Sequence, residues 1–165
     1  HLTVIVITSD HGEMNGDWGL IYKMNFLNGA LRVPLLVRTP ETTKAGGGMV
    51  NRSMAENADI GPTIVELAGG ELPHQQFAKS LVGALDGVTE HRADGLSEFR
   101  GEMMLMTPSH KAALNRDGKV YLLFDLETDP YETNNLAGLS EYRVLEDELR
   151  LEILERVARS QLKAP

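Results

Sequence analysis

Residues 9–12 read Ser-Asp-His-Gly and follow directly on the apolar run LTVIVIT of residues 2–8. A carboxylate, Asp10, and an imidazole, His11, therefore stand side by side where a strand must end. A lone lysine, Lys23, follows thirteen positions after the aspartate. Adjacent residues leaving a strand can both turn toward one ion once the alternation of faces has ended. Carboxylate oxygen suits Ca2+, Mg2+ or Mn2+, and an imidazole widens the choice to Mn2+ or Zn2+. Gly12 is expected to permit a backbone conformation that other residues avoid. The same tripeptide also suits a plain turn, with Asp10 capping the next segment and His11 merely exposed.

The rest of the composition narrows the chemistry. The 165 residues contain no cysteine, which excludes disulfides, thiolate metal sites and a cysteine nucleophile among them. A net charge of −8 argues against a nucleic-acid or anionic-membrane partner. An anionic substrate would then need local positive charge from a metal or a few bases. No apolar run reaches the roughly 20 residues that cross a bilayer. The chain opens on His1 and enters a strand almost at once, so it is expected to be part of a longer protein, and its compartment is not legible.

The elements that must position Asp10, His11 and Lys23 follow from the pattern. Continuous apolarity over 2–8 predicts a strand covered on both faces, as in a parallel α/β sheet. Residues 9–30 read as a loop with short helical turns, 32–40 as a second strand, and 41–52 as a flexible surface loop. Residues 57–70 predict a helix with Asp59 as N-cap, Pro62 in the first turn and Gly69-Gly70 as the stop. A short helix is expected around 76–87. Residues 95–126 predict two or three antiparallel strands with a turn at Asp117-Gly118. The spacing of Tyr142, Leu145, Leu149, Ile153 and Val157 predicts an amphipathic helix over 140–162.

Four ordered stretches carry a family resemblance. SDHGEMNGDWGLIYKMNFLNGALRVPLLVRTP (9–40), ADIGPTIVELAG (58–69), SLVGALDG (80–87) and LFDLETDPYETNNLAG (123–138) resemble segments of the sulfatase family, within the alkaline-phosphatase-like superfamily. The resemblance implies an α/β fold, the C-terminal part of an alkaline-phosphatase-like sandwich. End strands of a parallel sheet would be followed by a small antiparallel sheet and a closing C-terminal helix. It implies two parts, residues 1–95 from the sulfatase α/β domain and residues 96–165 as the antiparallel sheet plus helix.

For the chemistry, the resemblance implies that Asp10 and His11 are metal ligands and that Lys23 binds the sulfate. The ion would be Ca2+ by family habit, with Mn2+ an alternative, because many relatives have Asn where this chain has His11. The formylglycine nucleophile and the remaining ligands are expected upstream of His1, so this chain alone is expected to be inactive. The partner would be a small sulfate ester, or a phosphate or phosphonate ester, with a homo-oligomer possible and neither nucleic acid nor membrane involved. A non-catalytic packing module is the rival of a different class. Trp18 replaces the family's usual histidine, and packing is expected for it. Glu13 is expected to be a solvated loop acid, Arg32 an ion-pair support of the loop, and His110-Lys111 a surface pair. In the D-P-x-E-x-x-N-L stretch, Asp129 and Asn135 are expected to fix turns and Leu136 to anchor the loop.

Overall fold

Strand β1 (Ile5–Thr8) pairs with β2 (Leu35–Arg38) in a two-stranded sheet, in the computed structural model that describes residues 3–72 and 77–161. The pairing is antiparallel, with Ile5 opposite Arg38 and Thr8 opposite Leu35, and not parallel as the continuous apolarity suggests. The intervening residues hold only a 3-10 turn, Asp17–Gly19, and one short helical turn, α1 (Asn28–Leu31), and fold back at the end of β1 where they began. The chain thus re-enters the sheet at the end it left, whereas a parallel partner needs a long crossover. Apolarity reports burial, not direction. Here β1 is also mostly exposed, Ile7 by 55%, so within this chain neither face is fully covered.

The chain divides into two compact units, His1–Glu71 with Ala78–Arg92, and Leu72–Phe77 with Ala93–Pro165. In the first unit, residues 41–52 are more ordered than a flexible loop. Thr39 caps α2 (Pro40–Lys44) by a reciprocal box, accepting from the Thr42 N–H while its own N–H donates to Thr42 Oγ1. Helix α3 (Ile60–Leu67) follows a 3-10 turn over Asn57–Asp59. The predicted short helix is a 3-10 turn, Val82–Ala84, and its expected start at residue 76 lies outside the described residues.

Asp59 stands at the N-cap position of α3, as expected, but its side chain makes no capping bond there. Its fully buried carboxylate instead accepts from the Glu56 and Lys79 backbone N–H groups (2.9 and 2.7 Å), His91 Nε2 (2.8 Å) and the Arg92 guanidinium. Thr63 Oγ1 donates to the Asp59 carbonyl and accepts from the Leu81 N–H, so one helical turn stitches residues 79–81 to α3.

The second unit is a meander of four strands, β3 (Gly95–Phe99), β4 (Glu102–Met106), β5 (His110–Leu114) and β6 (Val120–Asp125), in sequential antiparallel order. The extra hairpin turns at Arg100-Gly101, both at positive φ (52° and 82°). Such a two-residue turn usually advertises itself as Asn-Gly, which is why Arg-Gly hides it. Leu105, Ala112, Leu114 and Leu123 share one core with Leu149 and Ile153 of α4 (Arg143–Gln161). The mixed α/β fold with an antiparallel sheet and closing helix is therefore present as expected.

Lys111 corrects the surface-pair reading, because it is fully buried on β5 and bonded to Glu132. Alternation places it on the sheet face opposite Ala112 and Leu114. His110 is only partly buried, its Nδ1 2.9 Å from Ser109 Oγ. The loop that brings Glu132 in is built as expected. Asp129 accepts from Thr133 and Asn134, Asn135 brackets the Leu123 N–H and the Tyr121 carbonyl, and Leu136 is buried in the core.

The Asp59 carboxyl yields a pH prediction. Burial alone would raise its pKa, but the Arg92 guanidinium, two backbone N–H groups and His91 outweigh that and hold it at about 2. A depressed carboxyl contributes stability that is complete above its unfolded pKa, near 4, and is lost as pH falls through about 2. The contribution is roughly 2–3 kcal/mol. Denaturant unfolding between pH 5 and pH 2 should show stability falling over that window. Asp59→Asn should be less stable at pH 7 and show a shallower acid slope; an unchanged slope would contradict the assignment.

Candidate active site

The turn after β1 is closed by its own side chains. Ser9 Oγ donates to the His11 carbonyl (2.7 Å), and the His11 N–H donates to Asp10 Oδ1 (3.0 Å). Gly12 then passes against the backbone of α1, its N–H donating to the Ala30 carbonyl (2.8 Å). A Cβ at Gly12 would overlap the Gly29 carbonyl oxygen, so glycine is needed here for close approach and not for an unusual φ, as first expected.

Residues 14–22 fold back as a narrow loop, with the Met14 N–H on the Tyr22 carbonyl (3.0 Å) and the Gly16 N–H on the Leu20 carbonyl (2.8 Å). Met14, Phe26 and Ala30 form its buried foundation. Asn15, Trp18 and Tyr22 all hold left-handed φ values of 52–69° without being glycine. Such strain persists only where surrounding bonds over-determine it, and it gathers at functional loops. It places Lys23, the residue after Tyr22, back beside His11.

The three candidate residues are brought together. Asp10 Oδ2 lies 3.3 Å from His11 Nε2, and the Lys23 ammonium hydrogen-bonds to the same nitrogen. The other ring nitrogen, Nδ1, stands 2.7 Å from the Gly12 carbonyl, which can only accept. Nδ1 therefore carries the proton, and Nε2 presents a lone pair on the side of the Asp10 carboxylate. Slight desolvation works to raise the Asp10 pKa; the positive charge of the His11 ring when protonated, the His11 N–H and Lys23 outweigh it and hold the carboxyl below its ordinary value.

This donor set fits a divalent cation. It joins an ionised carboxylate to a neutral imidazole whose second nitrogen is pinned by a carbonyl, the usual support of a metal-binding histidine. Two donors each about 2.3 Å from an ion and at right angles to each other stand about 3.3 Å apart. Among the described residues, no three or more His, Asp or Glu side chains form a group able to hold a metal, so the pair would be part of a site.

Other expectations fare unevenly. Glu13 is exposed, as expected. Trp18 is 52% exposed at the tip of the loop and is not packed within this chain. Arg32 makes no ion pair among the described residues; what supports the loop is Asn57, which the sequence does not advertise. Its Nδ2 donates to the Ser9 and Asp10 carbonyls (2.9 and 3.2 Å), and its Oδ1 accepts from Thr8 Oγ1 (3.2 Å). No local pattern links positions 48 residues apart. No described helix is long and apolar enough to cross a membrane.

The family described as N-sulphoglucosamine sulphohydrolase, C-terminal, matches residues 16–159, a span that includes Lys23 and leaves out Asp10 and His11. The chain is 36% identical over 147 residues to a choline-sulfatase of Rhizobium meliloti, covering 82% of this chain and 27% of that protein. It is 35% identical over 152 residues to human arylsulfatase K, covering 82% and 28%. Its fold is similar to the crystal structure of a phosphonate monoester hydrolase of Agrobacterium radiobacter, with a TM-score of 0.82 and 24% identity over 95% of this chain and 35% of that one. The chain thus spans about three tenths of the curated relatives it matches.

Gly12 supplies the test of the site's architecture. Gly12→Ala should cost roughly 2–3 kcal/mol, because backbone on both sides must part. Thermal unfolding should show a clear loss, whereas Gly61→Ala, where a Cβ meets nothing, should show little. Equal Tm values for the two variants would contradict the close approach.

Proposed function

Since this chain belongs to the family of sulfatase C-terminal domains, with residues 16–159 matched, we propose that it is the C-terminal portion of a metal-dependent sulfuric ester hydrolase. In this reading Asp10 and His11 are two of the metal ligands and Lys23 binds the sulfate. The observation that carries it is the convergence of Asp10 Oδ2, His11 Nε2 and the Lys23 ammonium after a single strand end. Ca2+ is the ion favoured by the family resemblance, with Mn2+ also compatible with an imidazole ligand. When bound, the ion would supply Lewis-acid charge to the ester oxygens. The formylglycine nucleophile is expected in a part of the protein outside this chain.

The chain's own residues have distinct tasks. The Gly12 carbonyl holds the His11 ring in the tautomer that leaves Nε2 free to ligate. Asp10, kept ionised by its neighbours, offers oxygen across the turn. Nε2 has one lone pair, so Lys23 must leave it when the site is filled. The ammonium then faces the oxygens of the bound ester. Negative charge builds on the ester and leaving oxygens in the transition state, where a preorganised cation lowers the barrier most. Lys23 is a compact, strongly hydrated charge suited to that task once the strained loop fixes its position.

A second reading is hydrolysis of a phosphonate or phosphate ester by the same groups. It is supported by His11 in place of the family's more usual Asn. Steady-state assays of both ester classes on the full-length protein would separate the two.

In the full-length protein, Lys23→Ala should lower kcat about a hundredfold or more, with metal content and Tm nearly unchanged. Unaltered kcat/KM on the best sulfate or phosphate ester would refute the role of Lys23. Residues 1–165 alone should turn over no aryl sulfate above buffer, and metal-dependent turnover by the pure fragment would place the nucleophile inside this chain.

A further inference from the structure

We propose that Asn57 is the positioning residue of the Asp10–His11 pair, an inference that rests on reading those two as metal ligands. The geometry is that of a clamp. Both Nδ2 hydrogens of Asn57 are used, one on the Ser9 carbonyl (2.9 Å) and one on the Asp10 carbonyl (3.2 Å). The Ser9 carbonyl belongs to the peptide plane before Asp10, and the Asp10 carbonyl to the plane between Asp10 and His11. Holding both sets the direction in which each Cβ leaves the backbone, and therefore where the carboxylate and the imidazole meet. The remaining amide atom, Oδ1, accepts from Thr8 Oγ1 at the last residue of β1 (3.2 Å). One side chain thus ties the strand end to the turn that bears the ligands.

Asn57 can do this because it is itself held. It opens the 3-10 turn Asn57–Asp59, whose ends are drawn together by the Glu56 N–H on the Asp59 carboxylate (2.9 Å). That carboxylate is anchored in turn by Arg92 and His91. Asn57 bonds the Ser9 and Asp10 carbonyls and Thr8 Oγ1, not the Asp10 carboxylate or the His11 ring, so it acts through the backbone of Asp10. Outer partners of this kind typically tune metal affinity by about 10- to 100-fold.

The experiment is calorimetric titration of the full-length protein with Ca2+ alone, on wild type, Asn57→Ala, Asn51→Ala and Asp10→Ala. Asn51 is the matched control, since its Nδ2 also donates to two backbone carbonyls of the same unit, those of Ala84 and Thr89, away from the turn. Asn57→Ala should weaken Ca2+ binding tenfold or more, while Asn51→Ala stays within twofold of wild type despite a similar loss of Tm. An Asn57→Ala affinity within twofold of wild type, beside an Asp10→Ala variant that no longer binds, would overturn the proposal and leave the ligand reading standing. An unchanged affinity in Asp10→Ala would remove the ligand reading, and this proposal with it. If Asn57→Ala does not fold, Asn57→Ser is measured by the same criterion.

Discussion

The site depends on one buried carboxylate that never approaches it. Asp59 gathers the Arg92 guanidinium, His91, and the backbone N–H groups of Glu56 and Lys79 around two oxygens in a fully buried position. Removing one partner from such a cluster leaves an uncompensated charge, which is strongly destabilising. The cluster therefore has one low-energy arrangement. It fixes the 56–59 turn, that turn presents Asn57, and Asn57 holds the peptide planes that aim Asp10 and His11. A strong interaction away from the chemistry thus sets the geometry of a weak, exposed one.

The exposed end has little cohesion of its own. Asp10 is largely open to solvent, and its pairing with His11 would be worth little as a surface contact. What the turn offers is preorganisation: an ionised oxygen, a nitrogen lone pair of defined tautomer, and an ammonium delivered by a loop with three left-handed non-glycine residues. Leaving Nε2 with a lysine and not a carbonyl makes the arrangement responsive. On the proposed reading the Lys23 bond would be exchanged for an ion, whereas the Gly12 bond on the opposite ring nitrogen would be kept.

Much of this was legible from residues alone. The strand end at Asp10-His11, the Asp117-Gly118 turn, the Asp129–Leu136 loop and the α4 stripe each follow from local rules of periodicity and turn chemistry, whereas the link from Lys23 to the Asp10-His11 pair came from the family resemblance. Apart from the Arg100-Gly101 hairpin, hidden by its unusual turn residues, the main misreadings come from long-range structure overriding a local rule. An acid just before a helix reads as a cap, but Asp59 is claimed by Arg92, 33 residues on. A lysine on a strand reads as exposed, but Lys111 lies between buried neighbours and meets Glu132, whose place in D-P-x-E was the available signal. Continuous apolarity reads as a parallel strand, yet the direction of β2 was set by where the loop returns the chain. Asn57 was silent because an amide bridging two backbone segments leaves no pattern in either.

The most direct measurement is a crystal structure of the full-length protein soaked in Mn2+, with diffraction collected on both sides of the manganese absorption edge. The account predicts an anomalous peak within bonding distance of both an Asp10 carboxylate oxygen and His11 Nε2, with the Lys23 ammonium displaced from that nitrogen. A manganese peak elsewhere, with Lys23 still bonded to His11, would contradict it.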